Sequence, residues 1–141
     1  MGLTIRSENY SADFGCAGFK HLRTKVAELT GKEIFKHYNY LNKGIFLMGD
    51  DRIQFFKEYN AKISELADEY NIPHGILNFL YASDIEAEIN VEDCKQIYEV
   101  IKDYDDNIRY GYSGRSDCAM FSDFKKIIKD CIDNNTDMEW Y

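Results

Sequence analysis

Residues 121–141 read FSDFKKIIKDCIDNNTDMEWY and join the pattern of a long amphipathic helix to that of a short strand. Apolar side chains recur every three or four residues, which is the period of one helix face: Phe121, Phe124, Ile127, Ile128, Cys131 and Ile132. The helix is expected to begin near Ser122 or a few residues earlier. Asn134 and Asn135 suit its end, so the long helix stops before the last six residues of the chain.

Both ends of the chain show the alternation of a strand with one buried face. Met138 and Trp140 alternate with Glu139, and residues 3–6 alternate apolar with polar side chains. Because chain ends often lie close together, we predict that these two short strands pair.

Five stretches between the chain ends have apolar side chains at helical spacing. They run from Gly18 to Gly31, over 32–42, from about Asp51 to Tyr70, for a few turns after Pro73, and from Asn90 to about Tyr104. Glycines, a proline and cap residues mark their ends. In the third stretch the predicted inner face consists of Ile53, Phe56, Ile63, Leu66, Ala67 and Tyr70.

These elements predict a mainly α fold: one domain over residues 1–141, with five to six helices and a small two-stranded sheet formed by the two termini. An α+β fold is the alternative. A chain of 141 residues is long enough for one hydrophobic core and short for two.

The formal net charge of -8 argues against generic binding of nucleic acid, because phosphate backbones repel an acidic surface. The charge is uneven: residues 1–49 hold seven basic and four acidic side chains, and the remainder holds ten basic and 21 acidic ones. No apolar run is long enough to span a membrane, and the start lacks the apolar segment of a signal peptide. We therefore expect a cytoplasmic protein.

No residue pattern indicates a metal, a cofactor or a known catalytic mechanism. The four cysteines lie far apart without a CxxC pair, which disfavours both a disulfide framework and a zinc site. None of the three histidines belongs to a metalloprotease motif. We expect no cofactor and no metal, and the sequence favours a binding protein over an enzyme.

Two short stretches share the pattern aromatic-Gly-x-small-Gly: residues 14–18, FGCAG, and residues 110–114, YGYSG. Glycines ahead of a helix let backbone N–H groups approach an anion such as phosphate. Neither stretch matches the P-loop or the dinucleotide-binding fingerprint. Turns that need a positive φ are the alternative interpretation.

The second glycine stretch lies within residues 105–123, which have no helical period and are the predicted working surface. Arg109 and Arg115 flank the glycines and have the side chain best suited to planar anions. Tyr110 and Tyr112 can stack on a base or on a partner's side chain. Ion pairs with neighbouring aspartates are the alternative role for the two arginines.

Arg23 follows the first glycine stretch among the basic residues of the predicted first helix. If the two stretches adjoin in space, Arg23 converges with Arg109 and Arg115 on one anion. The alternative is a solvated basic helix surface.

The stretches NYSADFGCAGF (9–19), IRYGYSGRSDCAMFSDFK (108–125), KDC (129–131) and MEWY (138–141) resemble small uncharacterised proteins of low-GC Gram-positive bacteria and their phages. The resemblance covers most of the chain and carries no activity, cofactor or residue role. It implies a cytoplasmic accessory protein of a phage or prophage that binds host proteins.

Taken together, these features predict a small acidic interaction or regulatory protein that binds a protein partner and is not an enzyme. The alternative is a binder of a small anionic or nucleotide-like ligand at the glycine-containing loops 14–23 and 109–115. A third prediction is an enzyme whose site has no recognisable motif. The oligomeric state is not indicated.

Overall fold

A computed structural model describes residues 2–106, 108, 110 and 119–141 of the chain. Within these residues the strands are β1 (Gly2–Arg6), β2 (Ser11–Gly15), β3 (Ala87–Ile89) and β4 (Met138–Trp140). They form one antiparallel sheet with the order β2-β1-β4-β3. The two terminal strands therefore occupy the centre of the sheet.

The predicted pairing of the chain ends is confirmed. Ile5 pairs with Trp140 and Arg6 with Glu139. The Thr4 N–H donates to the Tyr141 carbonyl at 2.9 Å, and the Tyr141 N–H donates back to Thr4 at 3.1 Å. The alternation in both segments places Ile5 and Trp140 in the core and leaves an Arg6–Glu139 ion pair on the outer face.

The sheet has four strands instead of the predicted two. Strands β2 and β3 were not predicted because their sequences lack a readable alternation of apolar and polar residues. In β2, Phe14 is the only large apolar side chain, and the strand is fixed by its pairing with β1 from Gly2↔Gly15 to Arg6↔Ser11. Strand β3 has three residues and, among the strands of the described ranges, pairs only with β4. Pairing with the neighbouring strand determines the conformation of both β2 and β3, and the local sequence does not encode that pairing.

The described residues contain six α-helices: α1 (Cys16–Thr30), α2 (Lys32–Tyr40), α3 (Gly49–Tyr70), α4 (His74–Tyr81), α5 (Val91–Ile101) and α6 (Phe121–Asn134). A 3-10 turn, Leu41–Gly44, follows α2. Helix α1 begins directly after β2, so it starts earlier than predicted. The fold is α+β, with helices as its main component.

Three helix ends follow the expected cap chemistry. The Asn90 side chain accepts a hydrogen bond from the Asp93 N–H at 2.9 Å at the start of α5. Asn71 and Asn135 end α3 and α6 in the left-handed region, with φ of 53° and 54°. Pro73 lies just ahead of α4.

Two of the six residues predicted for the inner face of helix α3 are exposed. Its only buried residues are Tyr59 and Leu66, whereas Ile53 is 68% exposed and Tyr70 is 50% exposed. The prediction that Ile53 and Tyr70 face the core is therefore wrong. The helix packs on α2 and the 3-10 turn and leaves its first turns open on one side.

The core lies where the inner face of the sheet meets α1, α4, α5 and α6. Trp140 contacts Phe19 and Phe79, with ring centroids 5.1 Å and 5.9 Å apart, and Phe79 in turn packs on Phe124. All four side chains are almost completely buried. The C-terminal strand thus links the first, fourth and sixth helices.

None of the helices in the described ranges has the length and hydropathy needed to cross a membrane.

Candidate ligand-binding cleft

A cleft of about 500 Å³ opens between α1, the end of α2, the start of α3 and the segment that follows α4. Its walls combine aromatic, aliphatic and charged side chains. The lining residues are Cys16, Phe19, Lys20, Arg23, Tyr38, Leu41, Ile45, Arg52, Phe56, Tyr59, Asn60, Leu80, Tyr81, Ala82, Ser83 and Asp84. A concave site of this size with a few converging polar groups is typical of small-molecule binding.

Arg23 is the central charged group of the cleft and is only 5% exposed. It lies on the helix face that points to the core, so its guanidinium reaches the segment after α4. Nη2 donates to the carbonyl oxygens of Ala82 at 3.0 Å and Ser83 at 3.1 Å, and Nη1 donates to that of Leu80 at 3.4 Å.

Aromatic rings surround the same guanidinium. Its central carbon lies 4.5 Å from the ring centroid of Phe19, 5.3 Å from Trp140 and 5.7 Å from Phe79. Such contacts attract a cation to the ring faces. The guanidinium therefore belongs both to the core and to the cleft wall.

Most of the contacts to the positively charged Arg23 guanidinium come from neutral groups. No carboxylate in the described part of the chain forms an ion pair with it; Tyr38 is the neighbour that favours its charge most, and the exposed carboxylate of Asp84 attracts it only weakly. The Nε–H is buried and has no acceptor among these residues. Burial lowers the pKa of Arg23, but a guanidinium remains charged at neutral pH.

Three further side chains form a polar cluster at the cleft: Tyr59 and Tyr81 line its wall, and His37 contacts both of them. His37 stacks on the Tyr59 ring at 4.0 Å, and its Nδ1 lies 2.8 Å from the Tyr81 hydroxyl. Its Nε2 lies 2.9 Å from the Tyr59 carbonyl oxygen. The Tyr59 hydroxyl is buried without a partner among the described residues.

Burial sets the protonation of this cluster. It lowers the pKa of His37 and raises those of Tyr59 and Tyr81, since a low-dielectric site disfavours the charged form of each group. The imidazole and both phenols are thus neutral near pH 7. The cluster adds hydrogen-bonding groups to the cleft and no charge.

Lys20 and Arg52 supply exposed cations at the edge of the cleft. Lys20 donates to the Asn42 side chain, and the Arg52 guanidinium lies 5.1 Å from the Phe56 ring centroid. Neither is in an ion pair with a described carboxylate. Together with Arg23 they give the cleft a positive excess over Asp84, the single acidic side chain among its described lining residues.

Two of the five predicted site residues lie within the described part of the chain. Arg23 lines the cleft. Tyr110 is 2% exposed, donates its hydroxyl to Asp106 at 2.6 Å and lines a neighbouring cavity of about 370 Å³ that shares Lys20 with the cleft. Arg109, Tyr112 and Arg115, with most of the predicted working surface, lie outside the described residues.

The first glycine stretch does not form the predicted loop. Residues 14 and 15 end β2 and residues 16–23 belong to α1. Gly15 has φ of -73°, so a turn with positive φ is wrong here as well. The stretch does adjoin the start of the second one, because the Gly15 N–H donates to the Tyr110 carbonyl at 3.2 Å.

Sequence reasoning missed His37, Tyr59, Tyr81 and Arg52. Tyr38 and Tyr81, which also line the cleft, belong to apolar helix faces in the sequence, so they were assigned to the core. Tyr59 is not part of the apolar face predicted for α3. One signal was available: Tyr59 follows Phe55 and Phe56 at helical spacing, which marks an aromatic stripe.

Among the described cysteines, Cys16 is exposed at the cleft, and Cys94 and Cys131 are buried with free thiols. No group of three described His, Cys, Asp or Glu side chains has the spacing of a metal site.

Comparison with known proteins gave no match to a family model, a curated protein or a solved structure.

Proposed function

We propose that this protein binds a small anionic, nucleotide-like ligand in the cleft around Arg23. The observation that carries the proposal is the buried guanidinium whose described partners are three carbonyl oxygens and three aromatic rings. A buried charge is unfavourable unless an opposite charge or a full set of hydrogen bonds compensates it. An anion in the cleft would supply the missing compensation.

The cleft edge supports the same ligand class. Lys20 and Arg52 offer further positive charge, and Arg52 presents a planar fork that suits phosphate or carboxylate oxygens. A ligand that reaches Arg23 from outside passes these two side chains. Its anionic group can therefore contact Lys20 or Arg52 at the edge of the cleft, or Arg23 deeper inside it.

The aromatic walls favour a ligand with a planar or apolar part. Phe19, Tyr38, Phe56, Tyr59 and Tyr81 all line the cleft, and its volume suits a ligand of mononucleotide size. Aromatic side chains stack on bases and other rings. The location proposed is the cytoplasm, where such ligands are abundant.

A thermal-shift screen tests this function. The panel contains AMP, GMP, CMP and UMP, their triphosphates, ribose 5-phosphate and inorganic phosphate. At least one organic anion should raise the Tm of the wild type, since a ligand at 100 times its Kd stabilises the folded state by about 2.7 kcal/mol. Arg52→Gln should reduce the shift.

The matched control is Arg6→Gln, which removes an exposed arginine on the sheet, away from the cleft. Its ligand-induced shift should equal that of the wild type. A panel without any Tm shift, or equal loss in Arg52→Gln and Arg6→Gln, contradicts the proposal.

A second function, binding of a protein partner, is favoured by an apolar rim that we define as Ile45, Phe46, Met48 and Ile53. These side chains are 52%, 88%, 82% and 68% exposed, and they lie within nine residues of one another. Exposed apolar clusters of this kind mark interaction surfaces. Asp50 and Asp51 lie beside the rim, so the partner proposed carries apolar side chains bordered by basic ones.

A photo-crosslinking amino acid at position 46 tests the partner hypothesis, with the same group at exposed Tyr10 as the control. A specific adduct with a basic protein at position 46 alone supports it. Equal adducts at both positions, or only adducts between copies of this chain, contradict it.

A further inference from the structure

The polar cluster of the cleft has a defined direction of hydrogen bonding. A carbonyl oxygen only accepts, so the proton shared by His37 and the Tyr59 carbonyl, 2.9 Å apart, resides on Nε2. Because burial keeps the imidazole neutral, Nδ1 then has a lone pair and no proton. The Tyr81 hydroxyl, 2.8 Å from Nδ1, must donate to it.

This arrangement commits the single proton of the Tyr81 hydroxyl to His37. The Tyr81 oxygen retains acceptor capacity, and it has no proton left for a group that enters the cleft. The Tyr81 hydroxyl therefore acts as a hydrogen-bond acceptor toward the cleft, whereas Lys20, Arg23 and Arg52 act as donors. A ligand atom that only accepts would leave this oxygen unpaired.

The unpartnered Tyr59 hydroxyl lies in the same part of the cleft. Its ring packs against Tyr81 with centroids 6.1 Å apart, and its hydroxyl is closed off from water by the surrounding rings. A buried hydroxyl without a partner loses roughly 1–3 kcal/mol relative to one that is hydrogen-bonded. Because the Tyr59 hydroxyl is closed off in this way, Tyr81 is the hydroxyl of this pair on which a preference for one kind of ligand group depends.

We infer that the ligand carries an O–H or N–H group that donates a hydrogen bond to the Tyr81 oxygen, and that this group is separate from the anionic group of the ligand. His37 is the positioning residue that fixes this preference for a donor, because it accepts the Tyr81 proton. The inference rests on the proposed anion-binding function. It narrows the ligand class to hydroxylated or amino-bearing anions, such as sugar phosphates and nucleotides with an exocyclic amine. Anions that present only acceptors at that end are disfavoured.

Substituted phenyl phosphates test the inference with defined probes: phenyl phosphate, its 3- and 4-hydroxy derivatives and the corresponding methoxy derivatives. Calorimetry gives the Kd of each for the wild type, Tyr81→Phe and the control Tyr10→Phe, an exposed tyrosine. At least one hydroxy compound should bind the wild type about three- to tenfold more tightly than its methoxy partner, the effect of one hydrogen bond.

In Tyr81→Phe this difference should disappear while the Kd of phenyl phosphate changes little. In Tyr10→Phe it should persist. A wild type that binds hydroxy and methoxy compounds equally, or a difference that survives in Tyr81→Phe, overturns the inference and leaves the anion-binding function standing. Absence of binding by every phenyl phosphate, together with a thermal-shift panel in which no anion raises the Tm, overturns both the inference and the anion-binding function.

A second measurement does not depend on the folding of a cleft variant. His21 and His74 are exposed, so His21→Gln with His74→Gln leaves His37 as the single histidine. Its imidazole ¹⁵N shifts at pH 8 should show the neutral form with the proton on Nε2. A proton on Nδ1 would make Tyr81 the acceptor of that bond and would overturn the inference.

Discussion

At the scale of single residues, Arg23 combines a core position with a place in the wall of the cleft. Its place in a basic stretch near the start of a helix predicted contact with an anion, and its burial could not be predicted. The rings that surround it come from Phe19, Phe79 and Trp140, which are far apart in sequence. Only tertiary packing assembles them around one side chain.

His37 gives a pH prediction for the free protein. Its folded-state pKa is below the ordinary value of 6.5, chiefly because burial disfavours the charged ring. Protonation below pH 6.5 therefore favours the unfolded chain. The contribution of neutral His37 to the free energy of unfolding is complete above pH 6.5 and is lost as the pH falls through the folded-state pKa.

Urea unfolding at pH 7.5 and pH 5.5 measures this effect. The wild type should lose stability between the two values, and His37→Gln should lose less. His74→Gln, at an exposed site on α4, should behave like the wild type. Equal losses in all three proteins would show that His37 is not buried in its neutral form.

At the scale of elements, a periodic pattern predicted each helix well where one face is buried. Helix α6 presents its apolar stripe as predicted, with Phe121, Phe124 and Ile128 in the core. The inner face predicted for α3 was wrong at Ile53 and Tyr70, because this helix packs on other elements only in part and these two side chains are left exposed. Periodicity shows that a face is apolar and does not show which neighbour covers it.

Helix α4 approaches α5 closely at Gly75, which gives a second prediction. A Cβ at this position would lie 2.6 Å from the Asp93 Cα and 2.8 Å from the Asp93 carbonyl oxygen. These are backbone atoms that cannot rotate away. Gly75→Ala should therefore destabilise the fold by about 1–3 kcal/mol, the usual range for overpacking.

Chemical unfolding in urea gives the free-energy difference for this variant. Gly31→Ala is the matched control, because a Cβ at residue 31 would have no described atom within 4 Å and the φ of 165° is extended. It should change stability by much less. A smaller effect of Gly75→Ala than of Gly31→Ala would contradict the close helix contact.

At the scale of the whole molecule, the two chain ends organise the fold. Their alternation predicted the β1–β4 pair, and no local signal predicted that β2 and β3 would extend it on both sides. The same limit applies to the cleft. Its basic wall on α1 was visible in the sequence, whereas the tyrosines that line it from α2, α3 and α4 required the packed structure.

Trp140 tests the central position of the C-terminal strand. It is 1% exposed, packs on Phe19 and Phe79, and donates its indole N–H to the Ser83 carbonyl at 3.0 Å. Trp140→Ala should cost about 3–5 kcal/mol, as large aromatic truncations in cores do.

The adjacent Tyr141→Ala removes an aromatic side chain that is 58% exposed and should cost far less. Circular dichroism during urea unfolding measures both variants. Similar losses in the two proteins would contradict a buried terminal strand.

The most direct test of the central claim is an NMR titration of ¹⁵N-labelled protein with the anion that gives the largest thermal shift. Binding in the cleft predicts that the Arg23 Nε–H resonance moves together with amides of Lys20, Arg52 and Tyr81, and that the amides of residues 129–134 at the end of α6 move least. Saturable shifts confined to other surfaces, with the Arg23 Nε–H unchanged, would contradict it.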